Sequence, residues 1–493
     1  MARVRSCANG SAAMKRIGIL VVAYNAATTL ASVLNRIPKD FLGRVEKIIV
    51  NDDFSNDSTY LVGLGFQQDQ PDVPLEIIRH PRNLGYGGNQ KAGYRWAIEQ
   101  ELDIVVLLHG DGQYPPELLA EMVAPLERDE CDAVFGSRMM VKGEARRGGM
   151  PMYKYVGNRI LTAFENKIVG LDLTEWHSGY RAYNVAALRD IPFESNANGF
   201  EFDTQIIVQM HEAGKQMLEI PIPTYYGDEI CYVNGMSYAR DVVRDVLTYR
   251  AHKVGFGSGE TAFATNTYEL KTGESTSHGQ ILRWLEHRPP ARILDVGCSD
   301  GLLGERLRAC GHTVVGVDIT KHEGVGERLD EFYEANLDEG LPHEAGDGFD
   351  VVLAADVLEH TRRPDLLLEE FRTRLAPNGT VIASVPNFAH WYPRARVMSG
   401  RFDYDSRGIL DRDHVRFFTQ RSFERLCDKA GFRTRRSTAI GLPMEAAHRG
   451  GTGPQRPTRP ALIASIEHAA VGLWPSMFGF QLLYELDPNK DAG

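Results

Sequence analysis

The sequence predicts two α/β domains in one chain, each built on a parallel sheet flanked by helices. Its 493 residues exceed the usual size of one domain. Apolar runs of strand length alternate with amphipathic segments such as "NQKAGYRWAIEQ", a pattern typical of α/β folds. A stretch rich in Gly, Ser and Thr, 255–279, divides two such series and predicts a linker.

The predicted strands follow from these apolar runs. In the first series they are 17–23, 45–51, 74–79, 103–108 and 132–135. In the second series they are "ARILDVG", "TVVGVDI", "FDVVLAADV" and "GTVIASVP". The predicted organisation is an N-terminal extension (1–15), a first domain (16–254), a linker (255–278), a second domain (279–443) and a C-terminal extension (444–493).

Composition excludes several classes of protein. Hydrophobic residues at 43% and charged residues at 25% describe an ordinary globular protein, and a net charge of -11 disfavours nucleic acid as a partner. The six cysteines are scattered without a C-x-x-C pair, which suits a reducing compartment and indicates no zinc site. The basic N-terminus lacks a cleavage site, so we expect no signal peptide and a cytoplasmic location.

Only the segment 461–486 is a candidate for membrane contact. Three residues interrupt its apolar pattern: Glu467, His468 and Pro475. Its uninterrupted runs fall short of the roughly 20 residues that a spanning helix needs. Two alternatives remain: packing against the second domain, which we favour, and peripheral contact with the inner face of the plasma membrane through Trp474, Phe478 and Phe480.

Polar residues stand at three strand ends of the first domain, where ligands bind in open α/β sheets. They are Ala23, Tyr24 and Asn25 after the first strand, Asp52 and Asp53 after the second, and His109 and Asp111 after the fourth. Each could be only a turn former or helix cap. Their recurrence at one sheet edge favours a binding site.

The ordered motifs "VVAYNAATTLASVL", "IIVNDDFSNDST", "NLGYGGNQKAGYRWA", "HGDGQYPPELL", "GSR", "HSGYRAYNVAAL" and "NGFEFDTQII" resemble the family 2 inverting glycosyltransferases of GT-A fold, particularly the polyprenyl-phosphate sugar transferases. The resemblance covers about the first half of the chain. It implies a nucleotide-diphospho-sugar donor and a glycan or polyprenyl-phosphate acceptor. The residues it places around the nucleoside are Ala23, Tyr24, Asn25, Asp52, Asp53, Asn83 and Gly85.

The metal motif departs from the family pattern. The family usually has Asp-x-Asp after strand four, whereas this chain has His109-Gly-Asp111. Mg²⁺ prefers oxygen ligands, so we expect Asp111 and the donor diphosphate to hold it, with Gln113 lining the site. His109 could instead ligate Mn²⁺, donate to the leaving phosphate, or bond only to backbone.

Inverting transfer to a hydroxyl acceptor requires a base. The resemblance assigns this role to Asp203; the alternative is that Asp203 caps the following helix. A phosphate acceptor is already anionic, in which case Asp203 would position substrate or metal. Arg181 could pair with phosphate, or form an ordinary ion pair.

The first strand of the second domain leads into a cofactor-type loop containing Asp295, Gly297, Ser299 and Gly301. The loop lacks G-x-G-x-x-G, which disfavours a nicotinamide cofactor and hence an oxidoreductase. The next strand ends at Asp318, whose carboxylate could accept from ribose hydroxyls.

Four motifs over residues 279–440, "ILDVGCSDG", "VVGVDIT", "FDVVLAADVLEH" and "LAPNGTVIASVPN", resemble the class I S-adenosylmethionine-dependent methyltransferases. That resemblance implies S-adenosylmethionine as cofactor, with Asn336 near the adenine and Asp356 at the fourth motif. His360 or His414 could deprotonate an acceptor hydroxyl, or be an ordinary loop histidine. No metal is required by this family.

Together these observations predict a bifunctional enzyme that transfers a sugar and methylates an acceptor in cell-surface glycan assembly, and we expect that acceptor to be the same glycan. An alternative is a methyltransferase whose first domain binds glycan without catalysis, because the first acid of its metal motif is replaced.

Overall fold

The structure is a computed structural model that describes residues 14–225, 235–253, 255–257, 273, 276–405, 407–442 and 468–489. It divides into two compact units near Tyr249 and Arg250. Most of the predicted N-terminal extension, most of the linker and residues 444–467 lie outside the described residues.

The first unit contains a seven-stranded sheet in the order β3-β2-β1-β4-β6-β5-β7. Its strands are β1 (Ile17–Ala23), β2 (Val45–Asp52), β3 (Leu75–Arg79), β4 (Ile104–His109), β5 (Ala133–Ser137), β6 (Arg181–Asn184) and β7 (Met217–Pro221). The five strands predicted from apolar runs are confirmed within one or two residues. Strand β1 is buried throughout because neighbouring strands and helices cover it on all sides.

The sheet is mixed, so the prediction of a purely parallel sheet is wrong for this unit. Strand β6 runs antiparallel to both β4 and β5. Its sequence, "RAYN", has no apolar run, and its four residues fall below the length that the pattern detects. Strand β7 was also not predicted, because its residues are only partly buried.

Helices cover both faces of this sheet. They are α1 (Leu30–Asn35), α2 (Lys39–Leu42), α3 (Thr59–Asp69), α4 (Tyr86–Glu99), α5 (Leu119–Glu127), α6 (Glu144–Arg147), α7 (Met152–Val169), α8 (Val185–Arg189), α9 (Phe202–Glu212) and α10 (Gly235–Lys253). Helix α4 packs closely against β1 at Gly93. A Cβ at Gly93 would lie 2.1 Å from a methyl carbon of Leu20, so a glycine allows this contact.

The second unit contains another seven-stranded sheet, in the order β10-β9-β8-β11-β12-β14-β13. Its strands are β8 (Arg292–Val296), β9 (Thr313–Asp318), β10 (Glu331–Glu334), β11 (Phe349–Ala355), β12 (Leu375–Pro386), β13 (Phe432–Ile440) and β14 (Gln481–Pro488). Its helices are α11 (Ser277–Glu286), α12 (Leu302–Ala309), α13 (Val325–Arg328), α14 (Pro364–Arg374), α15 (Trp391–Met398), α16 (Gln420–Lys429) and α17 (Pro475–Phe478).

The C-terminal segment is part of this sheet. Strand β14 lies between β12 and β13 and is antiparallel to both, so the prediction of a purely parallel sheet is wrong for the second unit as well. The second unit also includes residues that the sequence assigns to a separate extension. Burial of Leu482, Leu483 and Leu486 explains the apolar character of this stretch. Among the described residues, no helix is long and apolar enough to cross a membrane.

Candidate functional site

The predicted site residues of the first unit meet at one sheet edge. Ala23 pairs with Asp52 across β1 and β2, and Val22 pairs with His109 across β1 and β4. Because these strands are parallel, their carboxyl ends face the same side. The loops that follow them therefore lie at one edge of the sheet.

Asp53 and the segment 83–85 form one wall of this edge. The Asp53 carboxylate accepts from the backbone N–H of Leu84 at 2.7 Å and of Gly85 at 3.0 Å. The Asn83 amide donates to the Asp53 carbonyl at 3.1 Å. Gly85 has a φ of +80°, and a Cβ there would lie 2.6 Å from the Asn198 carbonyl oxygen. Burial raises the pKa of Asp53.

Asp52 and Asn25 hold the turns beside this wall. The Asp52 side chain is fully buried and accepts from the backbone N–H and the hydroxyl of Ser55. Asn25 has a φ of +50°, donates through its backbone to Ser55 and accepts from the backbone of Asn56. These contacts favour a structural role for Asp52, whereas Tyr24 is 38% exposed beside them.

The metal motif places Asp111 in a tight turn after β4. The Gln113 N–H donates to the Asp111 carboxylate at 3.0 Å, and Gly112 between them has a φ of +83°. The His109 ring packs edge-on against Tyr114 at 4.9 Å between ring centroids. A Cβ on Gly179 would lie 2.6 Å from the same ring, so Gly179 packs closely against one part of the imidazole, while His109 as a whole remains part-exposed.

The surroundings of His109 favour the neutral form of its imidazole. Burial lowers its pKa, and the nearby carboxylates of Asp111 and Asp203 oppose this effect only partly. A neutral imidazole has one nitrogen lone pair available for a metal or a hydrogen bond. His109 can therefore ligate a cation together with Asp111, which is only partly buried.

Asp203 lies in the first turn of α9 and is held by two side chains of α4. The Tyr86 hydroxyl donates to it at 3.0 Å and the Gln90 amide donates at 3.2 Å. The Tyr86 hydroxyl is also 3.5 Å from His109 Nε2. Burial and then the Asp203 charge raise the pKa of Tyr86 well above its usual value, so this phenol stays a donor. The helix cap is Glu201, so Asp203 does not act as the cap.

Arg181 lies beneath Asp203 with a side chain only 1% exposed. It donates to the backbone carbonyls of Ser178, Asp203 and Trp176 at 2.8, 3.0 and 2.8 Å. Its guanidinium is 3.7 Å from the Asp203 carboxylate. These contacts favour a role for Arg181 in positioning Asp203. They disfavour the phosphate contact that was expected from the sequence.

The second unit forms its predicted loop between β8 and α12. Gly297 and Gly301 have φ values of +70° and +79°, and Ser299 has +50°. The Ser299 N–H donates to the Asp318 carboxylate at 2.7 Å, which joins this loop to the end of β9. A Cβ on Gly297 would lie 2.5 Å from a Val357 methyl. Glycine is required at Gly297 by its positive φ and by the packing of Val357, and a strand-to-helix loop of this kind can bind a polar ligand through its backbone N–H groups.

Two carboxylates of this unit have unusual surroundings. Asp295 is 2% exposed, one of its oxygens has no hydrogen-bond partner, and burial followed by the Asp318 charge raises its pKa to about 7. Asp356, at a φ of +58° after β11, accepts from the Ser384 hydroxyl at 2.7 Å and the Gln481 amide at 2.6 Å. Asn336 is exposed after β10 and donates to Glu339.

His360 and His414, predicted separately as bases, lie together with ring centroids 4.8 Å apart. Glu359 joins them: its carboxylate is 1% exposed, and neither oxygen has a hydrogen-bond partner. Ligand atoms of the three side chains lie within 4.8 Å of one another, so the group could hold a divalent ion. Burial, and then the neighbouring His360, lower the pKa of His414.

The sequence did not single out several residues that hold the site. Tyr86 and Gln90 stand four apart on α4, the spacing of one helix face, and this is the signal that could have identified them. The ion pair of Arg138 with the buried carboxylate of Glu175, further supported by Asn158, joins residues far apart in sequence. Gln481 carried no such signal, because it comes from the C-terminal strand.

Comparison with known families finds a match in each of the two units. Residues 18–191 match the family described as glycosyl transferase family 2, and residues 278–437 match a methyltransferase domain. The chain contains a family 2 glycosyltransferase domain followed by a methyltransferase domain. Both domains belong to enzyme families, so the chain is a transferase, and the fold class predicted for each unit is confirmed.

The glycosyltransferase domain is similar to curated transferases that act on lipid phosphates. One is the UDP-N-acetylglucosamine–dolichyl-phosphate N-acetylglucosaminyltransferase of Methanococcus voltae, 28% identical over 43% of this chain and 86% of that protein. Another is the undecaprenyl-phosphate mannosyltransferase of Micrococcus luteus, 27% identical over 42% of this chain and 82% of that protein.

The methyltransferase domain is similar to the ubiquinone biosynthesis O-methyltransferase of Azorhizobium caulinodans, 40% identical over 22% of this chain and 46% of that protein. The chain thus matches less than half the length of this relative.

Among solved structures, glucosyl-3-phosphoglycerate synthase from Mycobacterium tuberculosis aligns with 49% of this chain over 82% of its own chain, with 18% identity and a TM-score of 0.38. A likeness of that size bears on neither substrate nor metal.

Proposed function

We propose that the glycosyltransferase domain moves a sugar, with inversion, from a nucleotide-diphospho-sugar to a polyprenyl-phosphate or glycan acceptor. We further propose that the methyltransferase domain methylates a hydroxyl of the same glycan with S-adenosylmethionine. The observation that carries the first proposal is the placement of Asp203, fixed by Tyr86 and Gln90 beside the motif containing Asp111.

The donor would lie along the carboxyl ends of β1, β2 and β4. The segment joining Asp53, Asn83 and Gly85 suits the nucleoside, because its backbone is close-packed and its polar groups are already oriented. Asp111 and His109 would hold a divalent cation against the diphosphate, with Gln113 beside them. Such an ion would neutralise the charge that develops on the leaving nucleotide.

The acceptor determines what Asp203 does. A hydroxyl acceptor must lose its proton, and Asp203 is a carboxylate fixed by two donors, a geometry suited to a general base. A polyprenyl phosphate needs no base. In that case Asp203 would orient the acceptor through Tyr86 and the cation.

Sugar transfer by purified Asp203→Asn protein tests this proposal. Asparagine keeps an oxygen to accept from Tyr86 but cannot take a proton, so transfer to a hydroxyl acceptor should fall by about 100-fold or more. Transfer to a polyprenyl phosphate should fall much less. Asp69→Asn, an exposed carboxylate on α3, is the matched control and should retain full activity. Unchanged transfer to both acceptors by Asp203→Asn would refute the assignment.

In the methyltransferase domain, S-adenosylmethionine would lie over the Gly297 to Gly301 loop. Asp318 and Asn336 would face its nucleoside, and Asp295 and Asp356 would support the loop. His360 and His414 act either as bases or, with Glu359, as ligands of a divalent ion that binds the acceptor oxygens. Equilibrium dialysis of wild type and Glu359→Gln against Mn²⁺ and Zn²⁺ separates the two roles, because only the ligand role predicts metal uptake that the variant loses.

The second candidate function is glycan binding without sugar transfer, which the replacement of the first acid by His109 favours. Release of nucleotide from a panel of donor sugars, with and without acceptor and divalent ion, distinguishes the two. A catalytic domain releases nucleotide in a metal-dependent manner. A binding domain releases none.

A further inference from the structure

Four aromatic side chains of the methyltransferase domain lie together beside His414. Phe388 follows β12, while Phe402, Tyr404 and Phe417 lie between α15 and α16. The ring centroid of Phe417 is 5.0 Å from that of Phe388, 6.1 Å from that of Phe402 and 6.4 Å from that of Tyr404. The Phe402 and Tyr404 centroids are 5.7 Å apart. We call these four residues the aromatic cluster.

The aromatic cluster lies at the same edge of the sheet as the cofactor loop. Strands β8, β11 and β12 are parallel neighbours, so the segments that begin at Gly297, at Asp356 and after β12 meet at one edge. The His414 ring centroid is 6.3 Å from that of Phe417 and 4.8 Å from that of His360. A ligand on the cluster would therefore adjoin the two histidines that are proposed to act on the methyl acceptor.

Two rings of the aromatic cluster are held at the surface. Phe402 is 48% exposed and Tyr404 is 49% exposed. The next residue, Asp405, is buried, and its carboxylate accepts from the Tyr392 hydroxyl at 2.8 Å and from the Arg396 guanidinium. These contacts fix the backbone beside Tyr404, so the loop keeps both rings exposed. Large apolar side chains that are grouped and exposed in this way are typical of a binding surface.

The segment that carries most of the cluster is electrically balanced. Residues 401–417 contain four Arg and four Asp, so with His414 neutral their formal net charge is zero. They are Arg401, Arg407, Arg412, Arg416, Asp403, Asp405, Asp411 and Asp413. Such a surface gives little net attraction to an anionic bilayer or to a polyphosphate. Arg401 and Asp403 are exposed on either side of Phe402, so a hydrogen-bond donor and an acceptor stand beside the rings.

We propose that the aromatic cluster binds a neutral sugar ring of the methyl acceptor. One face of the sugar would stack on the Phe402 and Tyr404 rings, because its C–H groups carry partial positive charge and the face of an aromatic ring is negative. The flanking Arg and Asp side chains would bond the hydroxyls around the edge of the sugar. One of these hydroxyls would then face His414.

This inference rests on the proposed function, because it takes the methyl acceptor to be a glycan. It adds the residues that select a sugar ring and the absence of charge on that ring. Two other occupants, a lipid chain and a second copy of this chain, would use the apolar area of the cluster rather than its aromatic faces. They would therefore tolerate leucine in place of Phe402 and Tyr404, whereas a stacked sugar would not.

Saturation-transfer difference NMR of the full chain tests the inference, with S-adenosylhomocysteine present and a panel of neutral methyl pyranosides as probes. At least one pyranoside should bind wild type, and the double variant Phe402→Leu, Tyr404→Leu should weaken that binding by about fivefold or more. Phe402→Tyr keeps an aromatic face and should bind as wild type does. Leu366→Ala on α14 is the control, since Leu366 is 49% exposed, and it should also bind as wild type does.

Three results would each overturn the inference: no pyranoside binding to wild type, equal binding by wild type and the double variant, or an equal loss in Leu366→Ala. A wild-type dimer in light scattering that persists in the double variant and dissociates in Phe402→Glu would show that a second copy covers the cluster. Pyranosides that bind the glycosyltransferase domain give the same signal in every protein, so only differences between the proteins count.

The variants also separate this inference from the proposed function. Both substituted side chains are exposed, so melting temperatures and S-adenosylmethionine binding should match wild type. Pyranoside binding that depends on the cluster, without methylation of the glycan made by the glycosyltransferase domain, refutes the proposed function alone. Methylation of that glycan with a KM that the leucine substitutions leave unchanged refutes the role of the cluster alone.

Discussion

Replacing Asp295 by Asn should make the methyltransferase unit more stable at neutral and alkaline pH. Asp295 is 2% exposed, and burial raises its pKa from 3.8 to about 7. The folded unit therefore retains a proton that the unfolded chain releases between these values. Because the folded state binds more protons over this window, the free energy of unfolding falls as pH rises through it.

The shift of about three pKa units corresponds to about 4 kcal/mol at 1.36 kcal/mol per unit, an upper value for a buried carboxyl next to a second one. Asparagine has the same shape and cannot ionise. We expect the difference in the free energy of unfolding between variant and wild type to grow from pH 4 to pH 7 and to stay constant above it. At pH 8 the variant should be more stable by about 1 to 4 kcal/mol.

Scanning calorimetry between pH 4 and pH 8 measures this difference. Added S-adenosylmethionine should raise the unfolding temperature of the unit that binds it. The calorimetric peak that moves is therefore the peak of the methyltransferase unit. Asp428→Asn, an exposed carboxylate on α16, is the control and should keep the pH dependence of wild type. If the free energies of unfolding of Asp295→Asn and wild type differ by the same amount at pH 5 and at pH 8, burial of Asp295 does not oppose its ionisation.

Three further substitutions test the two sites. Asp111→Ala should abolish metal-dependent sugar transfer while S-adenosylmethionine binding, measured by calorimetric titration, stays intact, because the residues belong to separate sheets; unchanged transfer would refute the metal role. His109→Asp should retain transfer and shift its metal preference towards Mg²⁺ in a metal titration, whereas complete inactivation would indicate a specific histidine function. Gly297→Asp should prevent cofactor binding and methylation, because the new Cβ would lie 2.5 Å from Val357 and the backbone φ there is +70°. The control Gly326→Asp has open space around the new side chain and should bind the cofactor normally.

The sheet cores could be predicted from sequence because their strands are buried on both faces. Strand β1 was predicted with its observed bounds, since a run of apolar residues between polar ends has few other interpretations. Strand β13, "FRTRRSTAI", gave no such signal, because it lies at the sheet edge and most of its side chains are exposed. Strand β14 was missed as a sheet member because its partners precede it by about a hundred residues and by about fifty.

For the candidate sites, the sequence indicates positions along the chain but not the contacts between them. Asp53 and Asp203 are placed where strand ends and motifs indicate, but the partners that fix them come from elsewhere in the chain. Tyr86 lies 117 residues before Asp203, and no local pattern reports a contact of that separation. For Arg181 the sequence suggested the wrong contact. Its charge suggested binding to a phosphate, whereas the guanidinium is buried and donates to backbone carbonyls inside the domain.

Joining two transferases in one chain raises their combined rate most when the product of one is the substrate of the other. Tethering raises the effective concentration of one site's product at the other, an advantage that unrelated reactions would not use. Under the proposed function, the glycan that leaves the glycosyltransferase site would be the acceptor of the methyltransferase domain. Methylation of a hydroxyl on that glycan would then block further extension at that position. In cells expressing Gly297→Asp, the lipid-linked glycan should therefore be lighter by one methylene; an unchanged mass, or a methyl group missing from an unrelated small molecule, would show that the two reactions are not consecutive.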